Sequence, residues 1–460
     1  MAATPATSAT PVAISKVLHV VHGYYPESGG GTEAYVRSLL DAQTRLSMQP
    51  YLLHGSFEPR PSPVLETRDD LAVEAWRLHR SDTYSDYWDK AHYDPAGALF
   101  EQILEDVQPD IVHVHQWIRM TDDLVVRALR QGIRSLVSLH DLYSSCPACF
   151  RLRPDDSHCE RVVSFESCGD CVPLRGHESR EEVRCGIDLY RDNARRELMS
   201  AGRVLAATEA TRTLVTSGLG LDRELVHLEP LGYARRFEGT RREHAHGGAL
   251  RLAYWGNVTA RKGVDVLLDA MRVLEARQPL RGRLELTIFG KVDLEDLRRD
   301  LEQRARDLPV TFAGRYEWEE LAAHGIDLAT FPSTCFETYG FVLDEAFELG
   351  IPALVTDVGA FAERIHAAGF LVPPHDAVAL ADALERILQD PTLLERARAS
   401  MPELSPTPLE HARRLRSHYE AARSAPQSSP PSLDAQRNAL AELRDRGDRD
   451  RAPLQRGFTD

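Results

Sequence analysis

Glu337 and Glu345, with seven residues between them, stand in the stretch Pro332-Ser333-Thr334-Cys335-Phe336-Glu337-Thr338-Tyr339-Gly340-Phe341-Val342-Leu343-Asp344-Glu345-Ala346. An ionised carboxylate only accepts hydrogen bonds, and its two oxygens suit the paired hydroxyls of a sugar. The backbone N–H groups of Thr338, Tyr339, Gly340 and Phe341, at the start of a helical pattern, would face an anion. Upstream, Gly256-Asn257-Val258-Thr259-Ala260-Arg261-Lys262-Gly263 joins an apolar run to a helical one. The compact ammonium of Lys262, beside Arg261, is a partner for phosphate. Near the N-terminus, His22-Gly23-Tyr24-Tyr25-Pro26 and then Gly29-Gly30-Gly31-Thr32-Glu33 follow another apolar run. Consecutive glycines let backbone N–H groups approach an anion, and the helix start adds partial positive charge. This loop is neither a dinucleotide G-x-G-x-x-G nor a Walker A loop, since no Lys-Ser/Thr follows. His140-Asp141 ends a further run, where an imidazole can hydrogen-bond a hydroxyl. His113 and His115 end another and share one of its faces, which favours packing or hydrogen-bonding roles.

A second kind of chemistry sits in six of the seven cysteines, which fall between 146 and 185. Cys146-x2-Cys149 followed by Cys168-x2-Cys171 has zinc-ribbon-like spacing, with Cys159 as a fifth thiol in the same loop. Clustered thiols in a reducing compartment bind metal more readily than they form disulfides. A structural zinc would order a long irregular segment. The spacings differ from those of common iron–sulfur proteins, and no water-activating pattern is present.

These residues stand at the ends of short apolar runs. One series is 17–21, 51–54, 111–115, 136–140 and 204–208. The other is 250–256, 284–290, 310–313, 328–331 and 353–356. Helical patterns alternate with them, as at 33–46, 264–277 and 377–388. Alternation of this kind predicts parallel sheets covered by helices on both faces, and two series predict two doubly wound α/β domains. Ligands in such sheets sit beyond the carboxyl ends of the strands, so facing domains place a cleft between them. The polar stretch 238–248 is the expected connector. A chain of 460 residues suits two domains, each large enough to bury a core.

The ends read differently. Residues 1–14 are Ala/Thr/Pro-rich, without the basic and apolar regions of a secretory signal, and are expected to be a disordered tail. Beyond 424 the chain turns Ser/Pro-rich and then Arg/Asp-rich, and disorder is expected there too. No apolar run approaches the roughly 20 residues of a membrane span. A net charge of -15 disfavours nucleic-acid binding. Only four of the 55 basic residues are Lys: Lys16, Lys90, Lys262 and Lys291.

The chain resembles the retaining, nucleotide-sugar-dependent glycosyltransferases of family 4, which have the two-domain GT-B fold. The likeness covers about 16–400. It is carried by Tyr25-Pro26 with Gly29-Gly30-Gly31-Thr32-Glu33, by Pro109-Asp110-Ile111-Val112-His113-Val114-His115, and by His140-Asp141. It continues through Gly256, Lys262-Gly263, Glu337-x7-Glu345, Gly350-Ile351-Pro352 and Gly359.

This resemblance implies two Rossmann-like domains facing across a cleft. The acceptor-side domain would be 16–240 with a Cys-rich insertion at 142–186. The donor domain would be 241–405, and a helix at 406–424 would pack back across the domains, with tails at 1–15 and 425–460. It implies transfer of a sugar from a UDP- or GDP-sugar, with retained anomeric configuration, to a glycan, lipid-linked or small-molecule acceptor. Gly29, Gly30 and Gly31 would approach the sugar and diphosphate. His140 would touch the sugar, Lys262 the diphosphate and Glu337 the sugar hydroxyls. The Thr338, Tyr339, Gly340 and Phe341 amides would cradle sugar and phosphate, and Glu345 would grip the ribose. Cations and amides, rather than a divalent metal, would stabilise the leaving group. Many relatives carry Arg where this chain has Asn257, and Arg261 is the expected substitute. A subgroup of relatives has recurrent thiols at Cys146, Cys159, Cys168 and Cys171, a set that replaces Cys149 of the ribbon spacing by Cys159. The expected location is cytoplasmic, with at most peripheral membrane association. A non-catalytic nucleotide-sugar-binding scaffold, or a phosphorylase or epimerase on the same fold, remains the alternative.

Overall fold

The computed structural model describes residues 14–82, 91–172, 178–237, 248–426 and 429–455, with side chains as far as Arg446. The first sheet contains β1 (Lys16–Val21), β2 (Gln49–Gly55), β3 (Val64–Thr67), β4 (Ala75–His79), β5 (Ile111–Val114), β6 (Ser135–Leu139), β7 (Arg203–Ala206) and β8 (Val226–Leu228). Its strand order is β3-β4-β2-β1-β5-β6-β7-β8. Every neighbouring pair is parallel except β3 with β4. The second sheet contains β9 (Leu250–Trp255), β10 (Leu284–Phe289), β11 (Val310–Gly314), β12 (Leu328–Phe331), β13 (Ala353–Thr356) and β14 (Gly369–Val372). It is all parallel, in the order β11-β10-β9-β12-β13-β14.

This is the expected mixed α/β architecture of two doubly wound domains. Strands buried on both faces read as continuous apolar runs, as in β1, where Val17, Leu18, Val20 and Val21 are all fully buried. The connections reverse direction between β1 and β5 in the first sheet, and between β9 and β12 in the second. Ligand-binding crevices open at such switch points. The glycine loop follows β1, and His140 follows β6, one strand beyond β5. The Lys262 loop follows β9, and the Glu337 loop follows β12.

The helix Pro408–Ser424 returns to the first domain. Its Ala412, Leu415, Tyr419 and Ala422 join a core with Val17, Val21, Tyr35 and Leu39.

Two expectations about the ends change. Most of the expected 1–15 tail, residues 1–13, lies outside the described residues, but Ile14 is buried in the first domain. Residues 425–460 were expected to be disordered, yet Asp434–Gln455 is a helix. Leu433 and Leu440, two turns apart, pack on Leu189. Gln436 Nε2 donates to Asp192 Oδ2 at 2.8 Å, and an Arg437 nitrogen lies 3.4 Å from Asp122 Oδ1. Two leucines make a seam too narrow to stand out as an apolar stripe, and polar contacts supply the rest. The connector expected at 238–248 falls, up to 247, outside the described residues. So do 83–90 of the expected acceptor region, 173–177 of the Cys-rich insertion, and 427–428 and 456–460 of the tail. No described helix is long and apolar enough to cross a membrane.

Candidate active site

A cleft of about 970 Å³ runs between the two switch points. Its first wall is the glycine loop. Gly29 packs against Tyr25, where a Cβ would come within 2.9 Å of the ring. Gly31 opens the helix Gly31–Arg45. None of Gly29, Gly30 and Gly31 has positive φ, and it is the close approach of Tyr25 to Gly29 and of the Glu33 carboxylate to Gly30, rather than left-handed backbone, that calls for glycine at those two positions. Glu33 braces the loop. Its Oε2 accepts from Gly30 N at 3.0 Å, its Oε1 accepts from Ser28 Oγ, and His22 Nε2 lies 3.4 Å away. Burial works against the charged carboxyl, but these partners outweigh it and hold Glu33 at about 2. His140, half-buried just after β6, also lines the cleft.

The second wall carries the two glutamates. Lys262 Nζ donates to Glu337 Oε1 at 2.5 Å, and Ser333 Oγ donates to the same oxygen at 2.7 Å. Burial opposes the ammonium, and the Glu337 carboxylate more than compensates, so the Lys262 pKa is raised. Gly263 makes this approach feasible. It sits at φ +68°, and a Cβ there would lie 1.9 Å from the Pro332 carbonyl oxygen. Glu345 is buried in the helix Phe341–Glu348. Its Oε2 accepts from Trp255 Nε1 at 2.9 Å, and Arg236 lies 3.5 Å from Oε1. Burial pushes Glu345 up to about 7, against the pull of Arg236 and the indole.

The walls touch through the Thr338 turn. Thr338 Oγ1 donates to the His140 carbonyl at 2.7 Å, and the hydroxyls of Thr208 and Thr211 donate to the Thr338 carbonyl. Phe341 faces Gly31 across the gap. Arg364 holds the turn from behind, donating to the carbonyls of Tyr339 and Gly340.

The cleft thus gathers Gly29, Gly30, Gly31, His140, Asn257, Lys262, Glu337, Thr338, Tyr339, Gly340, Phe341 and Glu345. Arg261 is the exception. It is exposed, does not line the cleft, and lays its guanidinium 3.9 Å from the ring centre of Phe150 in the Cys-rich segment. Its neighbour Lys262 turns inward, and adjacent residues of this short helical turn face different ways. Arg236 was not anticipated. It lines the cleft with its guanidinium 4.0 Å from the Trp318 ring centre. It sits in an irregular segment of an Arg-rich chain, where nothing in the sequence marks it. Tyr316 and Trp318, which also line the cleft, lie shortly after the end of β11, as His140 lies just after β6.

Two family descriptions match this architecture half by half. "Glycosyltransferase Family 4" matches residues 29–233, and "Glycosyl transferases group 1" matches 249–390. The chain belongs to glycosyltransferase family 4. It is 30% identical over 215 residues to the D-inositol 3-phosphate glycosyltransferase of Pseudarthrobacter chlorophenolicus, covering 44% of this chain and 51% of that one. It is 35% identical over 141 residues to the phosphatidyl-myo-inositol mannosyltransferase of Mycobacterium leprae, covering 30% and 36%. The family 4 chain therefore spans about half or less of these relatives' length. Among solved structures, a glycosyltransferase from Rickettsia africae superposes with a TM-score of 0.61 at 13% identity, over 90% of this chain and all of that one. The Anabaena protein HepE in complex with UDP and glucose gives 0.57 at 16% identity, over 88% and 100%. These likenesses establish the GT-B fold.

The Cys-rich segment of this family 4 chain lies against the donor-side loops. His158 Nε2 bonds the Thr334 carbonyl at 2.9 Å, and its ring packs on Phe336. Burial raises Cys146, Cys168 and Cys171, with Cys168 pushed up to about 11, and the Cys159 thiol adds to all three. Cys146 Sγ accepts from Arg151 N at 3.4 Å. Four soft donors are thus neighbours in one loop, a set chemically suited to zinc. Among the described residues, no three of these sulfurs lie within 4.8 Å of one another.

Proposed function

We propose that this protein transfers a sugar from a UDP- or GDP-sugar to an acceptor in a glycan, cell-surface or secondary-metabolite pathway, retaining the anomeric configuration. The observation that carries the reading is the single cleft where both switch points meet. There the Lys262–Glu337 pair and Glu345 face the glycine loop and His140. Lys262 and the amides of the Thr338 turn neutralise charge on the departing diphosphate. Glu337 and His140 hold sugar hydroxyls, and Glu345 accepts from the ribose. Arg236, beside Glu345, supplies the second cation in place of Arg261. No divalent metal is needed for this donor chemistry. HepE's complexes with UDP and glucose support a nucleotide-sugar donor, and the two inositol-linked relatives favour a phosphorylated polyol or lipid-linked acceptor. A structural zinc on Cys146, Cys159, Cys168 and Cys171 belongs to the same proposal. The test is a panel of nucleotide sugars scored for slow hydrolysis and thermal stabilisation. Stabilisation without any turnover would favour the non-catalytic scaffold, which Asn257 would suit, and phosphate-dependent turnover would favour a phosphorylase.

A further inference from the structure

Behind His140 the hydrogen bonds continue into the core. His140 Nε2 lies 2.9 Å from His115 Nδ1, and His115 Nε2 lies 3.0 Å from His19 Nδ1. His19 Nε2 lies 2.8 Å from Gln43 Oε1, and Gln43 Nε2 donates to the Tyr419 hydroxyl at 2.9 Å. The same hydroxyl lies 2.9 Å from His113 Nδ1, whose Nε2 lies 2.8 Å from Ser138 Oγ. The members come from β1, β5, β6, the helix Gly31–Arg45 and the returning helix Pro408–Ser424. His19, His113 and His115 are almost fully buried. Burial draws His19 down to about 4 and His140 to about 3, and holds His113 and His115 well below the ordinary value. All four rings are neutral at pH 7.

A neutral imidazole has one N–H and one bare nitrogen, so each link fixes the next. Gln43 turns its carbonyl oxygen to His19, and that oxygen only accepts. His19 therefore carries its proton on Nε2, and its Nδ1 is bare. His115 must then donate from Nε2, which leaves its own Nδ1 bare, and His140 must donate from Nε2. His140 Nδ1 carries no proton and, among the described residues, bonds no protein group. At the far end, Tyr419 accepts from Gln43 and donates to His113 Nδ1, and His113 Nε2–H donates to Ser138 Oγ. His19, His113 and His115 also bring ring nitrogens within 4.8 Å of one another, as a metal site would. Every one of those nitrogens already has a partner, and an ion would have to break the relay.

We propose that this relay locks His140 in the Nε2–H form, so that its Nδ1 meets the cleft as a hydrogen-bond acceptor for a hydroxyl of the transferred sugar. His115, His19 and Gln43 act as positioning residues. The tautomer follows from the neutral rings and from the Gln43 amide turning its oxygen to His19 and its N–H2 group to Tyr419, while the sugar contact rests on the proposed function.

The test uses the full chain with isotope-labelled histidine rings and long-range proton–nitrogen spectra, which separate the two tautomers. His140 is assigned by the signal lost in His140→Asn. The expected result is the Nε2–H form at His140, His115 and His19. An Nδ1–H form or an even mixture at His140 overturns the proposal, and that spectrum needs no variant of the relay. Gln43→Leu should then free His140 to populate both forms, with Gln43→Met as the milder change if Leu does not fold. An unchanged His140 spectrum in a folded Gln43 variant also overturns it. In binding measurements, the Gln43 variant should hold the productive nucleotide sugar about twofold more weakly, as expected when about half of His140 is in the other form, while its affinity for UDP or GDP alone stays constant. Equal loss for both ligands would point to a merely structural role and reject the relay. If native protein binds no nucleotide or nucleotide sugar, the functional reading fails while the tautomer result stands.

Discussion

Replacing Glu345 with Gln should remove a pH-dependent cost of folding while weakening the protein's hold on a nucleotide. Glu345 is 5% exposed, and burial moves its pKa from 4.5 to about 7. An unfolded chain loses this proton near the ordinary value. Between those two pH values the folded protein binds a proton that the unfolded chain lacks. Acid therefore favours the folded state, stability falls as pH rises through the window, and the effect levels off above about pH 7. At about 1.36 kcal/mol per pH unit, the change is about 3 kcal/mol. Glu345→Gln removes it. The amide oxygen can still accept from Trp255 Nε1, but the new N–H2 group beside Arg236 lacks an acceptor and costs about 1–3 kcal/mol at every pH. The clean quantity is thus how the difference between variant and native protein changes with pH. It should move in the variant's favour by about 3 kcal/mol across the window, which is roughly 6–12 °C in Tm for a domain of this size. Thermal melts of both proteins through a buffer series measure this. The same melts with UDP added should show a smaller ligand-induced rise for the variant, and kinetics a higher donor KM. A difference that stays constant across the window would refute burial as the cause.

Lys262→Ala and Glu337→Ala should each abolish transfer. Because the Lys262 side chain is 36% exposed, each loss of the pair should lower stability by no more than about 1 kcal/mol. Unchanged turnover would remove that residue from the mechanism, and a collapsed melt would make its role structural. Metal analysis of gently purified protein should find about one zinc per chain, lost in Cys168→Ser and kept in Cys149→Ser. Loss in both variants would restore the ribbon set, and no metal in native protein would end the zinc reading. Leu440→Ala should release the helix Asp434–Gln455 locally, at a cost of about 2 kcal/mol. Hydrogen exchange should then rise in that helix while the main melting transition stays in place, and unchanged exchange would show that the leucine seam does not hold it.

Much of the fold was legible because parallel strands buried on both faces are short apolar runs. β12 and β13 match the expected bounds residue for residue. β3 was not legible, because Val64-Leu65-Glu66-Thr67 forms an edge strand with Val64, Glu66 and Thr67 exposed, and so lacks a continuous apolar run. The site was legible in residue types at strand ends, since strand ends are where doubly wound sheets present side chains. Partnerships were not, because they join residues far apart in sequence. Tyr419 meets Gln43 over 376 positions, and Lys262 meets Glu337 over 75. The rarity of Lys also proves a weak guide. Lys16 Nζ donates to the Val107 carbonyl at 3.0 Å and Lys291 pairs with Asp293, so a lysine kept in this chain is not by itself a mark of the cleft.

Those partnerships change how an acidic protein would receive an anionic donor. On the donor-side wall of the cleft the cations are Lys262 and Arg236, and each already lies beside a glutamate, while Arg37 lines the opposite wall near Asp41. If both glutamates were ionised, a diphosphate would meet a surface with little net positive charge. Glu345, however, titrates at about 7, so near neutrality about half of it is uncharged and Arg236 keeps part of its field. The Lys262–Glu337 contact is partly open to solvent, where exchanging a carboxylate partner for a phosphate one is cheap. Diphosphate arriving at Lys262 would then release Glu337, and a freed carboxylate at that position is what the hydroxyls of the attached sugar require. On this view the empty site stores Glu337 and Glu345, its acceptors for the sugar and the ribose, in pairs that the donor itself takes apart. Binding of UDP alone should thus already free Glu337, and a UDP-sugar should gain over UDP mainly through Glu337 and His140.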